Sequence, residues 1–213
     1  MQKKVYVILK RIFDFIIAMI LLLILVIPFI VIAICIKLED GGTVFFKQKR
    51  VGKNLKEFDI YKFRSMKVER EQLNSDLSHD EMVTKIGKIL RKTSIDELPQ
   101  LFNVLKGEMS FIGPRPWIPD YYVYFTDEQK RRSNVLPGIS GLAQVKGRNE
   151  IDIFQKIKYD LEYVDNIGLG MDLKIIGLTI AEVLKKTGAD ASEAGIKSEI
   201  EQLKNKNSKY RSI

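Results

Sequence analysis

The sequence predicts a mostly helical α+β protein with one small β-hairpin and an N-terminal membrane segment. Three observations lead there. Phe15–Ile36 is an unbroken apolar run whose only ionisable group is the Cys35 thiol. Behind it, two short alternating stretches flank a basic segment, and most of the chain beyond them has helical spacing. The 213 residues are 46% hydrophobic and 29% charged, a globular composition sized for one domain plus an attachment.

As a helix the apolar run would be about 33 Å long, enough to cross a hydrocarbon core of about 30 Å. It is too long for the h-region of a secretory signal, and no small-x-small site precedes Lys37-Leu38-Glu39-Asp40. Ile34 is too bulky for lipoprotein processing at Cys35. Pro28 lies near the middle of the run, where a kink is expected. Lys3, Lys4, Lys10 and Arg11 precede the run, and Lys37, Lys47, Lys49, Arg50, Lys53 and Lys56 come after it. Both flanks therefore ask for the cytoplasmic side. A crossing helix frustrates one of them, and a re-entrant helix–break–helix satisfies both. The residues alone leave the two topologies open.

Beyond the apolar run, Asp40-Gly41-Gly42 is a turn. Residues 43–46 and 58–63 read as strands, with a basic loop over 47–54 between them. Glu69 to Ser78 is polar, an exposed loop or short helix, and His79 is an exposed loop residue. Thr84 to Arg91 reads as a helix with Ile86, Ile89 and Leu90 on one face. A second helix is expected from Asp96 to Lys106, ending at Gly107. The segments 113–116 and 136–141 are rigid Gly/Pro loops. Helices are expected over 117–133, 152–164 and 172–187, the last with Leu173, Ile176, Ile180, Val183 and Leu184 on one face. From Gly188 the chain is polar, with one short helix near 198–204. The expected units are a membrane segment 1–38, a body 39–187 joined to it, and a polar tail 188–213.

Composition limits the chemistry. Lys and Arg number 35 against 27 Asp and Glu, a net charge of +8 with a pI of about 9.4. One Cys excludes a disulfide framework and a Cys-rich zinc or iron–sulfur site, and one His excludes a His-rich metal site. Carboxylates, Arg and Lys must carry any reaction. A metal would have oxygen ligands, which favours Mg²⁺ or Mn²⁺.

The most informative stretch is Arg91-Lys92-Thr93-Ser94-Ile95-Asp96-Glu97-Leu98-Pro99-Gln100. Ser94-x-x-Glu97 has the form of a capping box, and acidic residues at a helix start complement the dipole. The same two carboxylates could hold a divalent cation, and a carboxylate can be a nucleophile toward phosphorus. A second constellation is cationic. Arg50 follows Lys47 and Lys49 beside Phe45 and Phe46, while Lys62 and Arg64 lie in Tyr61-Lys62-Phe63-Arg64. Arg115 is clamped between Pro114 and Pro116, and Arg148 follows Gly147. A basic face would also be drawn to anionic lipid, but a rigid Pro-Arg-Pro suits bidentate phosphate recognition. Nucleic acid is not expected as a partner, since no dense basic cluster is present and the chain is membrane-attached. A membrane-bound basic adaptor for anionic lipid or nucleic acid is the alternative class.

In order along the chain, these residues form a recognisable set. Lys10-Arg11-Ile12-Phe13-Asp14, Phe46 to Gly52, Tyr61 to Met66, Ser94 to Leu101, Asn103 to Gly107, Met109 to Pro116 and Pro137 to Arg148 resemble successive motifs of the bacterial sugar transferases. These are the monotopic polyprenyl-phosphate phosphoglycosyl transferases, and the likeness spans residues 8–187. The length suggests the minimal catalytic form. The resemblance implies transfer of a sugar 1-phosphate from a UDP-sugar to polyprenyl phosphate, giving polyprenyl-diphospho-sugar and UMP. This is the first membrane step of surface glycan assembly. It implies a re-entrant segment broken at Pro28, with the body on the cytoplasmic face of the bacterial inner membrane and touching membrane lipids. It also implies an Asp96–Glu97 catalytic dyad that helps hold Mg²⁺, with Asp96 forming a covalent phosphosugar intermediate. The candidate substrate-binding set is Arg50, Lys62, Arg64, Arg91, Arg115, Gln144 and Arg148, each inside or beside one of these stretches. Leu136 and Leu142 stand where many members carry Arg and Trp, Phe154 lies near another such Trp, and Ile27 stands where some members carry Ser. None of these departures touches the dyad; they bear on the donor site and so on which sugar is used. Homo-oligomerisation is left open.

Overall fold

A computed structural model describes residues 2–67, 82–147, 151–184 and 193–208. The polar loop expected at 69–78, His79 and Arg148 lie outside the described residues.

The apolar run lies within one long helix, α1, over Gln2–Asp40, with Pro28 inside it. Helical turns run up to Pro28 and on from it with no loop between them. Proline removes one hydrogen bond, while packing on both sides keeps the neighbouring turns helical. Before Pro28, Ala18 is buried with Leu101, Val104 and Met109, and Leu21, Leu22 and Leu25 pack on the same cluster. After it, Phe29 and Ile32 pack against Ile36, Phe63 and Leu90.

Both ends of α1 are tied to the polar body. At the start, Lys3 Nζ donates to the Asp165 carbonyl at 2.5 Å, and Tyr6 and Lys10 donate to Asp172 Oδ2 at 2.7 and 2.5 Å. Arg11 donates to the carbonyls of Val104 and Leu105 at 2.5 and 2.9 Å. Those carbonyls lie in the last turn of the helix α3, Gln100–Lys106, where Val104 also accepts from the Gly107 N–H at 3.1 Å, so Arg11 adds a cation at the negative end of the helix. At the far end, Glu39 accepts from the backbone N–H groups of Lys85 and Ile86 at 2.6 and 3.1 Å, and so covers the start of α2, Lys85–Thr93. Asp40 pairs with Arg64.

The hairpin is formed by β1, Phe45–Val51, and β2, Glu57–Phe63, antiparallel with Phe45 opposite Phe63 and Val51 opposite Glu57. Lys47, Lys49 and Arg50 therefore lie on a strand and not in the expected basic loop. The turn is tighter and later, over 52–56, with Asn54 and Leu55 at φ 55° and 62°. Thr84 caps α2, its hydroxyl accepting from Gly87 N at 2.8 Å. Ser94 then takes the left-handed conformation, φ 56°, and a 3₁₀ turn runs over Ile95–Glu97. The helix expected from Asp96 thus starts only at Gln100. The capping box is not formed: the Ser94 side chain makes no capping bond.

The helix expected over 117–133 is broken into α4, Pro119–Tyr122, α5, Asp127–Lys130, and a 3₁₀ turn, Arg131–Asn134. The physical reason is local. Thr126 and Gln129 form a capping box that starts a new helix in mid-segment. A parallel pair, β3, Ser110–Ile112, with β4, Gly138–Ser140, also departs from the expected elements. Its strands are too short for alternation to reveal. The two rigid loops meet there so closely that a Cβ on Gly138 would lie 2.1 Å from Gly113 N.

The helices α6, Leu142–Lys146, and α7, Ile153–Asp165, complete the body around the helix α8, Leu169–Leu184. Among the described side chains of α8, Asp172 and Ile175 are buried, whereas Leu169, Leu173, Ile176 and Ile180 are exposed. Its apolar stripe thus faces outward, adding to the exposed apolar surface of α1. The C-terminal part is more ordered than a polar tail with a short helix. A helix α9 spans Glu193–Ser208, and its Leu203 is fully buried with Trp117, Tyr121, Phe125, Ile153 and Ile157.

Candidate active site

The 3₁₀ turn at 95–97 places Asp96 and Glu97 on the wall of a cavity of about 780 Å³. The left-handed Ser94 ends α2 sharply, and Pro99 precedes α3, so the dyad is held between two helices on a short rigid turn. Asp96 is 5% exposed. Strand β2 brings Lys62 to Glu97, with Nζ donating to Oε1 at 2.7 Å. The Pro-Arg-Pro loop brings Arg115 to the same carboxylate, its two terminal nitrogens donating to Oε1 at 2.6 Å and Oε2 at 3.3 Å. Burial alone would raise the Glu97 pKa. Arg115 and then Lys62 more than offset it and hold the carboxyl well below the usual range. Glu97 is therefore ionised at any working pH and serves as an anchor for two cations.

Arg50 lines the same cavity. Its NH2 donates to Gln48 Oε1 at 2.6 Å, while its Nε is buried without a partner among the described residues. Burial, and then the charge of Arg115, push its guanidinium down to about 10, still charged at neutral pH. Two crowded guanidiniums with an unsatisfied N–H suit an oxyanion. Arg91 also lines the cavity, with Nε donating to Ser65 Oγ at 2.9 Å. Gln144 does too, donating to the Ile139 carbonyl at 3.0 Å and leaving Oε1 buried without a partner among the described residues.

One candidate falls elsewhere. Arg64 does not line the cavity; it donates to the Thr43 carbonyl at 2.6 Å and pairs with Asp40. Arg64 lies just past the end of β2, so strand alternation no longer fixes its side chain beside Lys62, and a carboxylate at the end of α1 claims it. Sequence reasoning also missed a buried pair beneath the Pro-Arg-Pro loop. Arg132 donates to Asp160 Oδ2 at 2.9 and 2.6 Å, and its NH2 donates to the Arg115 carbonyl at 2.6 Å. Its guanidinium lies 4.1 Å from the Trp117 ring centroid. The pair thus braces the loop that presents Arg115. Arg132 sits in an ordinary Lys-Arg-Arg run, so nothing local marked it.

Among the described residues no group of three or more His, Cys, Asp or Glu side chains could form a metal cage. A magnesium ion would need only one or two carboxylates, completing its shell with phosphate and water. Asp96 and Glu97 are the adjacent carboxylates of this cavity that could contribute to holding such an ion, Glu97 while also accepting from Lys62 and Arg115.

The profile of the bacterial sugar transferase family matches residues 5–186. The chain belongs to this family. It is 46% identical over 181 residues to the uncharacterized sugar transferase EpsL of Bacillus subtilis, covering 85% of this chain and 90% of that protein. It is 39% identical over 198 residues to the undecaprenyl-phosphate galactose phosphotransferase of Salmonella typhimurium, covering 85% of this chain but 41% of that protein. It is 42% identical over 185 residues to the undecaprenyl-phosphate glucose phosphotransferase of Komagataeibacter xylinus, covering 80% of this chain and 35% of that one. The chain thus spans most of some curated relatives and well under half of others. In this sugar transferase, the matched region includes the dyad, Lys62, Arg115, Arg50 and most of α1.

Proposed function

We propose that this sugar transferase moves a sugar 1-phosphate from a UDP-sugar to a polyprenyl phosphate, giving polyprenyl-diphospho-sugar and UMP. The observation that carries the reading is the composition of one cavity. It holds an acidic dyad, the cations Arg50, Lys62 and Arg115, and two leucines of the apolar helix, Leu21 and Leu25. A water-soluble diphosphate and a lipid-borne phosphate could reach the same carboxylates there. The relatives named as undecaprenyl-phosphate galactose and glucose phosphotransferases support the substrate classes.

In the mechanism we propose, Asp96 attacks the sugar-bearing phosphorus of the donor. A phosphorus–oxygen bond to the aspartate forms and the bond to UMP breaks, UMP leaving with the electron pair. The polyprenyl phosphate oxygen then attacks that phosphorus and displaces Asp96. Arg115 and Arg50 hold the phosphate oxygens, and Lys62 and Glu97 fix the orientation of Arg115. Phosphoryl transfer depends chiefly on such positioning and charge neutralisation. A bound Mg²⁺ would supply further neutralisation of the diphosphate, held partly by the Asp96–Glu97 dyad. UMP release that requires a UDP-sugar, Mg²⁺ and polyprenyl phosphate together for turnover is the expected result across a panel of UDP-sugars. Polyanion binding with no UMP from any of them would favour a lipid or nucleic-acid adaptor instead.

The same reading places the body on the cytoplasmic face of the bacterial inner membrane, with α1 bent at Pro28 so that it enters and leaves one leaflet. Its support is that Lys3 and Glu39, at opposite ends of α1, both bond to the one polar body. A crossing helix would put about 30 Å of hydrocarbon between them. Cysteines placed at residues 3 and 40 are therefore both expected to resist a periplasm-only thiol reagent. Labelling at residue 3 alone would mean a crossing helix. Pro28→Leu is expected to shift the segment toward crossing, since the helix regains a hydrogen bond and can straighten.

A further inference from the structure

The phosphate-binding end does not account for the whole cavity. The family match ends at residue 186, and α9 begins at Glu193. Yet Ile196 and Glu199 of α9 line the same cavity as Asp96 and Glu97. Glu199 Oε2 accepts from the Tyr121 hydroxyl at 2.6 Å, and Oε1 accepts from Lys156 Nζ at 2.5 Å. Leu203, one turn further on, is fully buried and fixes the helix in place. Burial, and then the bond to Glu199, push the Tyr121 phenol up, so it remains a donor.

The chemistry of this wall differs from that of the dyad. Around the dyad the cations Arg50, Lys62 and Arg115 outnumber the carboxylates Asp96 and Glu97, an arrangement that calls for an anion. Lys156 and Glu199 instead pair one to one, and their surplus capacity is for hydrogen bonds. A carboxylate offers about four acceptor sites. Tyr121 and Lys156 take one on each Glu199 oxygen, which leaves acceptor capacity toward the cavity. The two regions are contiguous, because Arg50, Arg115, Tyr121 and Glu199 line one cavity. A neutral, hydrogen-bonding wall next to a phosphate subsite suits an uncharged polyhydroxyl group attached to that phosphate. It is also built partly from chain beyond the family match, where a property peculiar to one member can be set.

We infer that α9 forms the sugar subsite of the donor cavity, with Glu199, held by Tyr121 and Lys156, accepting hydrogen bonds from hydroxyl or amide N–H groups of the sugar. This rests on the function proposed above. The test uses the full chain with polyprenyl phosphate and Mg²⁺. For the wild type, Glu199→Ala and Tyr121→Phe, kcat/KM is measured with UDP-glucose, UDP-galactose and their two N-acetylamino counterparts, together with inhibition by UMP. Glu199→Ala is expected to lower kcat/KM for the preferred donor by about tenfold or more and for the poorest donors by less than about threefold. UMP inhibition is expected to change by less than about twofold, because UMP lacks the sugar. Tyr121→Phe, which keeps the packed ring, is expected to compress the donor ranking in the same direction, and it decides the matter if Glu199→Ala fails to fold. An equal loss for every donor, weaker UMP inhibition in step with the loss, or an unchanged ranking would each overturn the inference while leaving the transferase reading intact. Absence of UMP release by the wild type with every donor would overturn that reading, and this subsite with it.

Discussion

Asp96→Asn is expected to lower turnover by about a thousandfold or more, which corresponds to about 4 kcal/mol of the barrier. The substitution keeps the size of a side chain that is 5% exposed and lines the cavity, so the fold should tolerate it. It removes the charge and most of the nucleophilicity toward phosphorus. Thermal melting is the control: a variant that melts like the wild type and yet releases no UMP has lost chemistry and not structure. Glu97→Gln is less informative. Glu97 anchors Lys62 and Arg115, so its loss disorders the phosphate site whichever residue is the nucleophile.

Arg115→Ala is expected to cut kcat/KM for the donor by about tenfold or more, about 1.4 kcal/mol of transition-state stabilisation. Arg115 is held on three sides: by flanking prolines, by its bidentate bond to Glu97, and by Arg132 on its backbone carbonyl. That bracing presents a planar fork at a fixed angle, which an ammonium cannot reproduce. Arg115→Lys is therefore expected to recover only part of the loss. A Lys variant with wild-type kinetics would mean that charge alone matters at this position.

How much of this was legible in the sequence depended on how local each signal was. The long apolar run, the second hairpin strand and α7 announce themselves within a few residues, and they lie close to where the pattern put them. The dyad was legible because two adjacent carboxylates stood in a motif, but its local reading as a capping box was misleading. Lys62 and Arg115 reach Glu97 from 35 and 18 residues away, and no local rule anticipates them. The same holds for Arg132 and Asp160, which are 28 residues apart. The outward face of α8 shows a further limit. Periodicity found its apolar stripe but could not say that the stripe faces away from the body. Arg64 lies away from the cavity for a related reason: a basic residue next to a site residue can be claimed by a nearby carboxylate, here Asp40. The helix α9 was underestimated because its sequence is largely polar, while its docking depends on a few residues such as Leu203 and Asn207 meeting a cluster built elsewhere.

The central claim is that Asp96 carries the phosphosugar between donor and acceptor. Its most direct test is the intact mass of the wild-type chain after mixing with a UDP-sugar and Mg²⁺, with polyprenyl phosphate left out. The expected result is a gain equal to one sugar phosphate, at most one UMP released per site, loss of the adduct when polyprenyl phosphate is added, and no gain in Asp96→Asn. An unmodified wild-type mass together with intersecting, ternary-complex kinetics would contradict the claim and leave Asp96 as a metal ligand in a direct displacement.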